Sequence, residues 1–257
     1  MKAKKSFGQH FLNREDIAER IALSVPEKAP VDKVLEIGPG KAMLTKYLLE
    51  NWPGLFAVEA DRDMVEYLAR NYPDFSKRVF QGDFLKMDIG SSFPGEQVAI
   101  VGNFPYNISS QIVIKVIENR DIVPILVGMF QKEVAQRIVA GPGSKTYGVI
   151  SVLTQAFFQG EYLFSVSKGS FSPPPKVESG VIRLVRKENY QLACDEGLFR
   201  KVVKQAFSQR RKMLRNTMKV WLKEEPVIQD SFFDQRPERL SVEDFVQLTQ
   251  WVEETRG

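Results

Sequence analysis

Apolar positions recur first at alternating strand and helix periods, and beyond the middle of the chain mainly at helical period. Residues from about 13 to about 25 carry apolar side chains at helical spacing, and Val34-Leu35-Glu36-Ile37 reads as a short buried strand. Met43, Leu44, Tyr47 and Leu48 return to helical period, Leu55 to Val58 forms a second strand closed by Glu59, and a helix follows from Asp63 to Asn71. Val79-Phe80 and Val98 to Val101 predict third and fourth strands, and Ile122 to Phe130 a fifth. Such alternation builds a doubly wound, mostly parallel sheet, in which ligands lie beyond the carboxyl ends of the strands. After about residue 160, Tyr162-Leu163-Phe164 and Val181 to Val185 flank the proline-rich run Phe171 to Pro175, which suits a closing antiparallel pair. From about Glu188 the pattern is helical and charged. The expectation is therefore an α/β domain over 1–187 and a small helical C-terminal domain over 188–257.

Composition narrows the chemistry. Hydrophobic residues make up 43% of the 257, enough for a full core. One histidine and one cysteine cannot assemble a cluster of soft metal ligands, so no metal site is expected. Ser/His/Asp and Cys/His catalysis would both rest on His10, which sits in a basic arm with no partner nearby in sequence. Cys194 is expected to be a small buried apolar residue. No run approaches the ~20 apolar residues that span a bilayer, and the first residues carry no apolar signal core. A cytoplasmic protein without membrane contact is expected. The formal net charge of +4 favours a polyanionic partner.

The segment Glu36-Ile37-Gly38-Pro39-Gly40-Lys41-Ala42 joins a buried strand to a helix, where glycines let the backbone approach a ligand closely. Gly38 and Gly40 can line a cofactor, or can merely reverse the chain. A dinucleotide fingerprint would place a third glycine where Met43 stands, so nicotinamide binding is disfavoured. Glu59, Asp83 and Asn103 follow the second, third and fourth strands and should line one crevice. Glu59 can hold both hydroxyls of a ribose, and Asp83 can accept from an adenine amino group; singly, each also reads as a solvated loop acid.

Asn103-Phe104-Pro105-Tyr106 is the most specific signal in the chain. An adenine amino nitrogen is a poor nucleophile because its lone pair is delocalised into the ring, and acceptors that hold its N–H groups out of plane restore that pair. Asn103 offers a side-chain oxygen, Phe104 a backbone carbonyl, and the ring of Tyr106 a surface for stacking. Methyl transfer from a sulfonium then needs no strong base, only positioning and electrostatics. The bland alternative is a polar turn with a buried aromatic.

Together with this motif, Phe7-Gly8-Gln9-His10-Phe11-Leu12, Glu36 to Gly40, Asn107-Ile108-Ser109, Gln131 to Val134, Gly141 to Gly148, Phe171 to Val177 and Gln209 to Lys212 give the chain its resemblance. Over nearly its whole length it resembles the ribosomal-RNA adenine dimethyltransferase family, in the bacterial small-subunit form. The resemblance implies a Rossmann-like class I methyltransferase fold for 1–187, and S-adenosylmethionine as cofactor. It places cofactor contacts on His10, Leu12, Gly38, Glu59, Asp83 and Asn103, to which the glycine loop adds Gly40. It implies as substrate two adjacent adenosines near the 3′ end of 16S ribosomal RNA, each dimethylated, in an immature small subunit, with the protein acting as a monomer. Phe171 matches a family aromatic able to clamp the target base opposite Tyr106, and reads equally as a hydrophobic plug. His10, Ala42 and Phe104 stand where the family commonly has Asn, Gly and Leu.

Lys201, Lys204, Arg210, Arg211, Lys212, Arg215, Lys219 and Lys223 crowd one helical region whose apolar positions can pack inward. Such a face can track phosphates, with Lys204, Arg210, Arg211, Lys212 and Arg215 as the leading RNA contacts and Lys2, Lys4 and Lys5 joining them. The rival readings are a large-subunit adenine methyltransferase of the macrolide-resistance type, against which the segment Gly141 to Gly148 stands, and a mainly non-catalytic ribosome-assembly factor.

Overall fold

The computed structural model describes residues 9–27, 29–222 and 226–255. Lys2, Lys4, Lys5, Phe7, Gly8 and Lys223 lie outside the described residues. In chain order, β1 (Phe11–Leu12) leads to α1 (Glu15–Ala22), β2 (Lys33–Ile37), α2 (Thr45–Asn51), β3 (Leu55–Glu59), α3 (Arg62–Asn71), α4 (Pro73–Ser76), β4 (Val79–Gln81), α5 (Ile89–Ser92) and β5 (Val98–Asn103). There follow α6 (Ser109–Glu118), β6 (Ile125–Gln131), α7 (Lys132–Val139), α8 (Val149–Gln155), β7 (Phe158–Val166), β8 (Phe171–Ser172) and β9 (Ser179–Arg186). The chain closes with α9 (Glu196–Ala206), α10 (Leu214–Leu222) and α11 (Val242–Glu254).

Two compact units result, one from the described parts of 1–136 and 159–186, the other from those of 137–158 and 187–257. The first is built on a seven-stranded sheet in the order β4-β3-β2-β5-β6-β9-β7. β4, β3, β2, β5 and β6 run parallel, and β9 pairs antiparallel with β6 from Ile125↔Val185 to Gln131↔Ser179. This is the Rossmann-like sheet with a closing antiparallel strand. Its central strands read as unbroken apolar runs because both faces are covered, and Val34, Leu35, Ala99, Ile100, Leu126 and Val127 have no exposed surface. The run at Tyr162 to Phe164 extends to nine residues in β7, while the fifth strand starts at Ile125 rather than Ile122. A separate two-stranded ribbon, β1 with β8, pairs Phe11 with Ser172 and Leu12 with Phe171, a long-range contact that no periodicity announces.

The second unit is helical. Residues 137–158, which the linear rhythm assigns to the first domain, pack with 187–257 instead. The physical reason lies in the segment Gly141 to Gly148. Gly143 N donates to Glu238 O at 2.6 Å, Arg210 Nη2 donates to Ser144 O at 3.2 Å, and the Tyr147 hydroxyl donates to Leu240 O at 2.9 Å. Tyr147 has no exposed surface, and burial holds its hydroxyl above the usual phenol range. Phe207 stacks on Phe245 with centroids 5.8 Å apart, and Phe199, Leu214, Met218, Phe233 and Leu248, none of them with exposed surface, complete the core. Asp195 caps α9 through Leu198 N at 2.6 Å, and Ser241 with Asp244 forms a capping box on α11. Cys194 is half-buried, with its thiol pushed up to about 11 by burial, so it stays a neutral thiol at neutral pH.

Replacing Tyr147 with Phe strands the Leu240 carbonyl in the core of the second unit. We expect a loss of about 1–2 kcal/mol in that unit's stability, read as a lower denaturation midpoint.

Candidate active site

The carboxyl ends of β2, β3 and β5 surround a cavity of about 310 Å³, within the range of small-molecule sites. Its walls carry Gly38 and Gly40 after β2, Glu59 at the end of β3, Asp83 after β4, Asn103 at the end of β5 with Phe104 and Tyr106, and His10 and Leu12 from the arm. The structure thus brings together every site residue expected from the sequence in the first unit except Phe171, which does not line the cavity.

The glycine loop is shaped by left-handed backbone. Gly40 adopts φ +53°, and a Cβ there would stand 3.2 Å from Phe11 Cε1, so the arm ring packs directly onto the loop. Ala42 shares this conformation at φ 63° and is almost fully buried. An L-residue held there costs roughly 1–2 kcal/mol. Its methyl therefore carries backbone strain as well as bulk.

Glu59 is 6% exposed, and each of its oxygens is already engaged: Oε2 by Gly40 N at 3.1 Å and Oε1 by Asp61 N at 2.8 Å. Burial pushes its carboxyl up, against the two backbone donors. A carboxylate has about four lone-pair sites, so each oxygen can still accept a ribose hydroxyl. Asp83 is exposed, and its Oδ1 takes Leu85 N at 2.9 Å, which fixes the rotamer and leaves Oδ2 for an adenine amino group.

Asn103 carries the decisive geometry. Its Nδ2 donates to the backbone carbonyl of His10 at 2.9 Å, which identifies the nitrogen end of the carboxamide and leaves Oδ1 as an acceptor in the crevice. The ring of Phe104 is buried beneath the sheet, edge-on to Phe130 at 5.1 Å, so the residue can meet a substrate only through its backbone. That ring occupies space vacated by two glycines. A Cβ at Gly128 would lie 2.0 Å from Phe104 Cε2, and one at Gly102 would lie 2.8 Å from Cε1. Tyr106 is anchored by a 2.6 Å hydrogen bond between its hydroxyl and Ser179 Oγ, and burial raises its phenol, keeping it neutral.

The arm crosses this site as a strap. Gln9 Nε2 donates to Asp61 Oδ2 at 2.9 Å, the His10 ring stacks on Tyr106 with centroids 5.4 Å apart, and His10 Nδ1 lies 2.8 Å from Pro173 O. His10 therefore covers one face of the Tyr106 ring. Phe171 is 3% exposed and packs in the core with Leu12 and Ile21.

Sequence reasoning passed over four residues of the site. Glu36 is 2% exposed on the cavity wall, with Thr45 Oγ1 donating to its Oε2 at 2.7 Å and its carboxyl pushed up to about 8 by burial. An acid inside an otherwise apolar strand was the available signal for it. Gln9, Gly128 and Ser179 gave none, because each acts through a partner distant in the chain.

Likeness to known proteins accords with this geometry. The family described as ribosomal RNA adenine dimethylase matches residues 1–254. The chain belongs to that family. The small-subunit ribosomal RNA methyltransferase A of Flavobacterium johnsoniae is 54% identical over 253 residues, covering 98% of this chain and 97% of that protein. The corresponding protein of Bacteroides thetaiotaomicron is 51% identical over 255 residues, covering 99% and 95%. Among solved structures, a dimethyladenosine transferase from Plasmodium falciparum superposes with a TM-score of 0.79 at 26% identity, covering 96% of this chain and 98% of that one. The 23S rRNA methyltransferase ErmE shares the fold, with a TM-score of 0.72 at 22% identity, covering 95% and 99%. The chain is accordingly an S-adenosylmethionine-dependent adenine methyltransferase of ribosomal RNA.

In the second unit of this dimethylase the basic residues divide. Arg210 is held by Ser144 O and faces Glu238 at 4.0 Å, and Arg215 is paired with Asp234. Lys201, Lys204, Arg211, Lys212 and Lys219 are exposed. Arg210 and Arg215 thus serve the unit's own cohesion, whereas the others stand exposed.

Gly128→Ala should lower stability by about 3 kcal/mol and impair methyl transfer, because the Phe104 ring and the carbonyl above it must shift. Adding Phe104→Leu to that variant should restore part of both. Thermal melts and methyl-transfer assays of the single and double variants check this.

Proposed function

We propose that this dimethylase converts two adjacent adenosines near the 3′ end of 16S ribosomal RNA to N6,N6-dimethyladenosine, in an immature small ribosomal subunit, as a cytoplasmic monomer. The observation that carries the reading is the 2.9 Å contact from Asn103 Nδ2 to His10 O, which presents Oδ1 to an incoming amino group. The small-subunit assignment draws on the names of relatives about half identical to the chain. Among the described residues no helix is long and apolar enough to cross a membrane.

The cavity suits the cofactor in its donor set: a carboxylate at the end of β3 for ribose hydroxyls, a second after β4 for an adenine amino group, and a glycine loop that admits close backbone approach. When bound there, S-adenosylmethionine supplies an electrophilic methyl carbon and a neutral thioether leaving group. Glu59, Asp83, Gly38, Gly40, Leu12 and His10 hold and orient it. Asn103 Oδ1 and the Phe104 carbonyl accept the two N–H groups of the target amine, turning its lone pair out of conjugation toward the methyl carbon. Tyr106, fixed by Ser179, offers its ring to the base. After methyl transfer the nitrogen is cationic and readily loses a proton, so no strong base is required. A recessed site of this kind takes an extruded or unpaired adenosine, with the RNA recognised by shape and backbone.

Asn103→Ala should reduce methyl transfer by at least about 100-fold while cofactor affinity stays within about tenfold, a change of roughly 1.4 kcal/mol. Labelled cofactor and immature small subunits, followed by mapping of the modified bases, measure the first quantity and identify the substrate; modification of large-subunit RNA alone overturns the reading. Changing Lys204, Arg211 and Lys212 together to Glu should weaken RNA binding and flatten its salt dependence by about one unit of log–log slope per lost phosphate contact. An unchanged affinity and slope reduces that face to a solvated surface.

A further inference from the structure

We infer that Glu36 tunes the crevice for cationic donor over neutral-sulfur product: it sits as an uncharged carboxyl in the free protein and releases its proton to solvent when S-adenosylmethionine binds. This rests on the cofactor reading above. Glu36 is 2% exposed, lies on the cavity wall, and has one hydrogen bond, from Thr45 Oγ1 to Oε2 at 2.7 Å. Among the described residues, no donor reaches its other oxygen.

Among the described residues, the charged and titratable groups around the crevice do not supply a counter-ion. Glu59 from β3 is the one whose charge reaches Glu36, and it is of the same sign. Asp61, in the turn after β3, and Asp83, after β4, are acids as well. Lys41 on the glycine loop sits over the Phe11 ring at 4.8 Å, and the His10 Nδ1 is engaged at Pro173 O. From α2 the neutral Thr45 donates to the acid, while Lys46 and Tyr47 on the same helix are engaged by Glu15. Burial without a cation keeps the Glu36 carboxyl protonated, as its upward displacement to about 8 reflects.

A positive ligand reverses that balance. The sulfonium of S-adenosylmethionine brings a further positive charge into the crevice, and the ionised carboxylate becomes the favoured form. The proton leaves to buffer, and no bond to carbon is made or broken. S-Adenosylhomocysteine has lost the sulfonium charge, so its binding draws out less of the proton. The consequence is a crevice that holds the donor more tightly than the demethylated product, by an amount that grows with pH below about 8. Linkage fixes the sign: the folded-state pKa is raised, so neutral Glu36 favours the free folded protein at low pH, and that advantage is lost as pH rises toward 8.

The test is titration calorimetry of the full chain at pH 6.5–7.5, in two buffers of different ionisation enthalpy, with S-adenosylmethionine and S-adenosylhomocysteine. The expected result is release of about half to one proton more with the donor than with the product. In Glu36→Gln, which keeps an acceptor for Thr45 and subtracts any ionisation of the ligands themselves, this excess should vanish. The donor-to-product affinity ratio should then fall several-fold. Should the variant fail to fold, the wild-type comparison of donor and product decides alone. Equal proton release for the two ligands, or an unchanged excess in the variant, overturns the inference while leaving the cofactor assignment intact. Absence of any donor binding overturns both.

Discussion

A carboxamide is symmetrical in shape and opposite in function at its two ends, so it becomes a directed acceptor only when something claims its nitrogen. At Asn103 the claimant is the backbone carbonyl of His10, 93 residues earlier in the chain, at 2.9 Å. The contact requires the arm to lie across the ends of β2 and β5, and several others hold it there. β1 pairs with β8, Gln9 reaches Asp61, and Phe11 packs against the loop at Gly40. The glycine loop, the arm and the Asn103-Phe104-Pro105-Tyr106 motif are thereby one mechanical assembly.

The same assembly explains how three departures from the residues expected at these positions can be accommodated together. Phe104 is larger than the leucine usual at that position, yet its ring fits because Gly102 and Gly128 leave the space beneath the sheet open. The buried ring sets where the Phe104 carbonyl stands. Ala42 follows the opposite course: it keeps the left-handed backbone of a glycine and bears the cost of a Cβ. His10 gains a stacking contact with Tyr106 that an asparagine cannot make. Phe104 and Ala42 are accommodated by space and backbone, and His10 by a stacking contact with Tyr106 and a polar contact with Pro173 O.

Electrostatics divide between the units in a complementary way. The crevice is lined by Glu36, Glu59 and Asp83, with Lys41 on the glycine loop, whereas the helical unit exposes Lys201, Lys204, Arg211, Lys212 and Lys219. Charge in a sequence does not say which of these residues are available. Arg210 and Arg215 belong to the same basic run, yet Ser144, Glu238 and Asp234 engage them. A cation bound to its own fold has little left for a partner.

Periodicity and local motif were sufficient for the sheet, because strands covered on both faces must be apolar throughout and the turns between them must carry the ligand-facing residues. Glu59, Asp83 and Asn103 were legible for that reason, each standing just where a strand of the parallel sheet ends. Contacts between segments far apart in sequence left no such trace. The β1–β8 ribbon, the hold of His10 on Asn103, the space at Gly128, and the placing of Phe171 in the core rather than on the cavity wall were fixed only when the chain closed on itself. The same holds for 137–158, whose hydrogen bonds at Gly143, Ser144 and Tyr147 draw it out of its place in the linear order and into the helical unit. Sequence by itself determined which residues could do the chemistry, since that is a property of side chains and their spacing. Tertiary structure decided which of them are aimed, buried or already engaged, since those depend on neighbours that spacing does not encode.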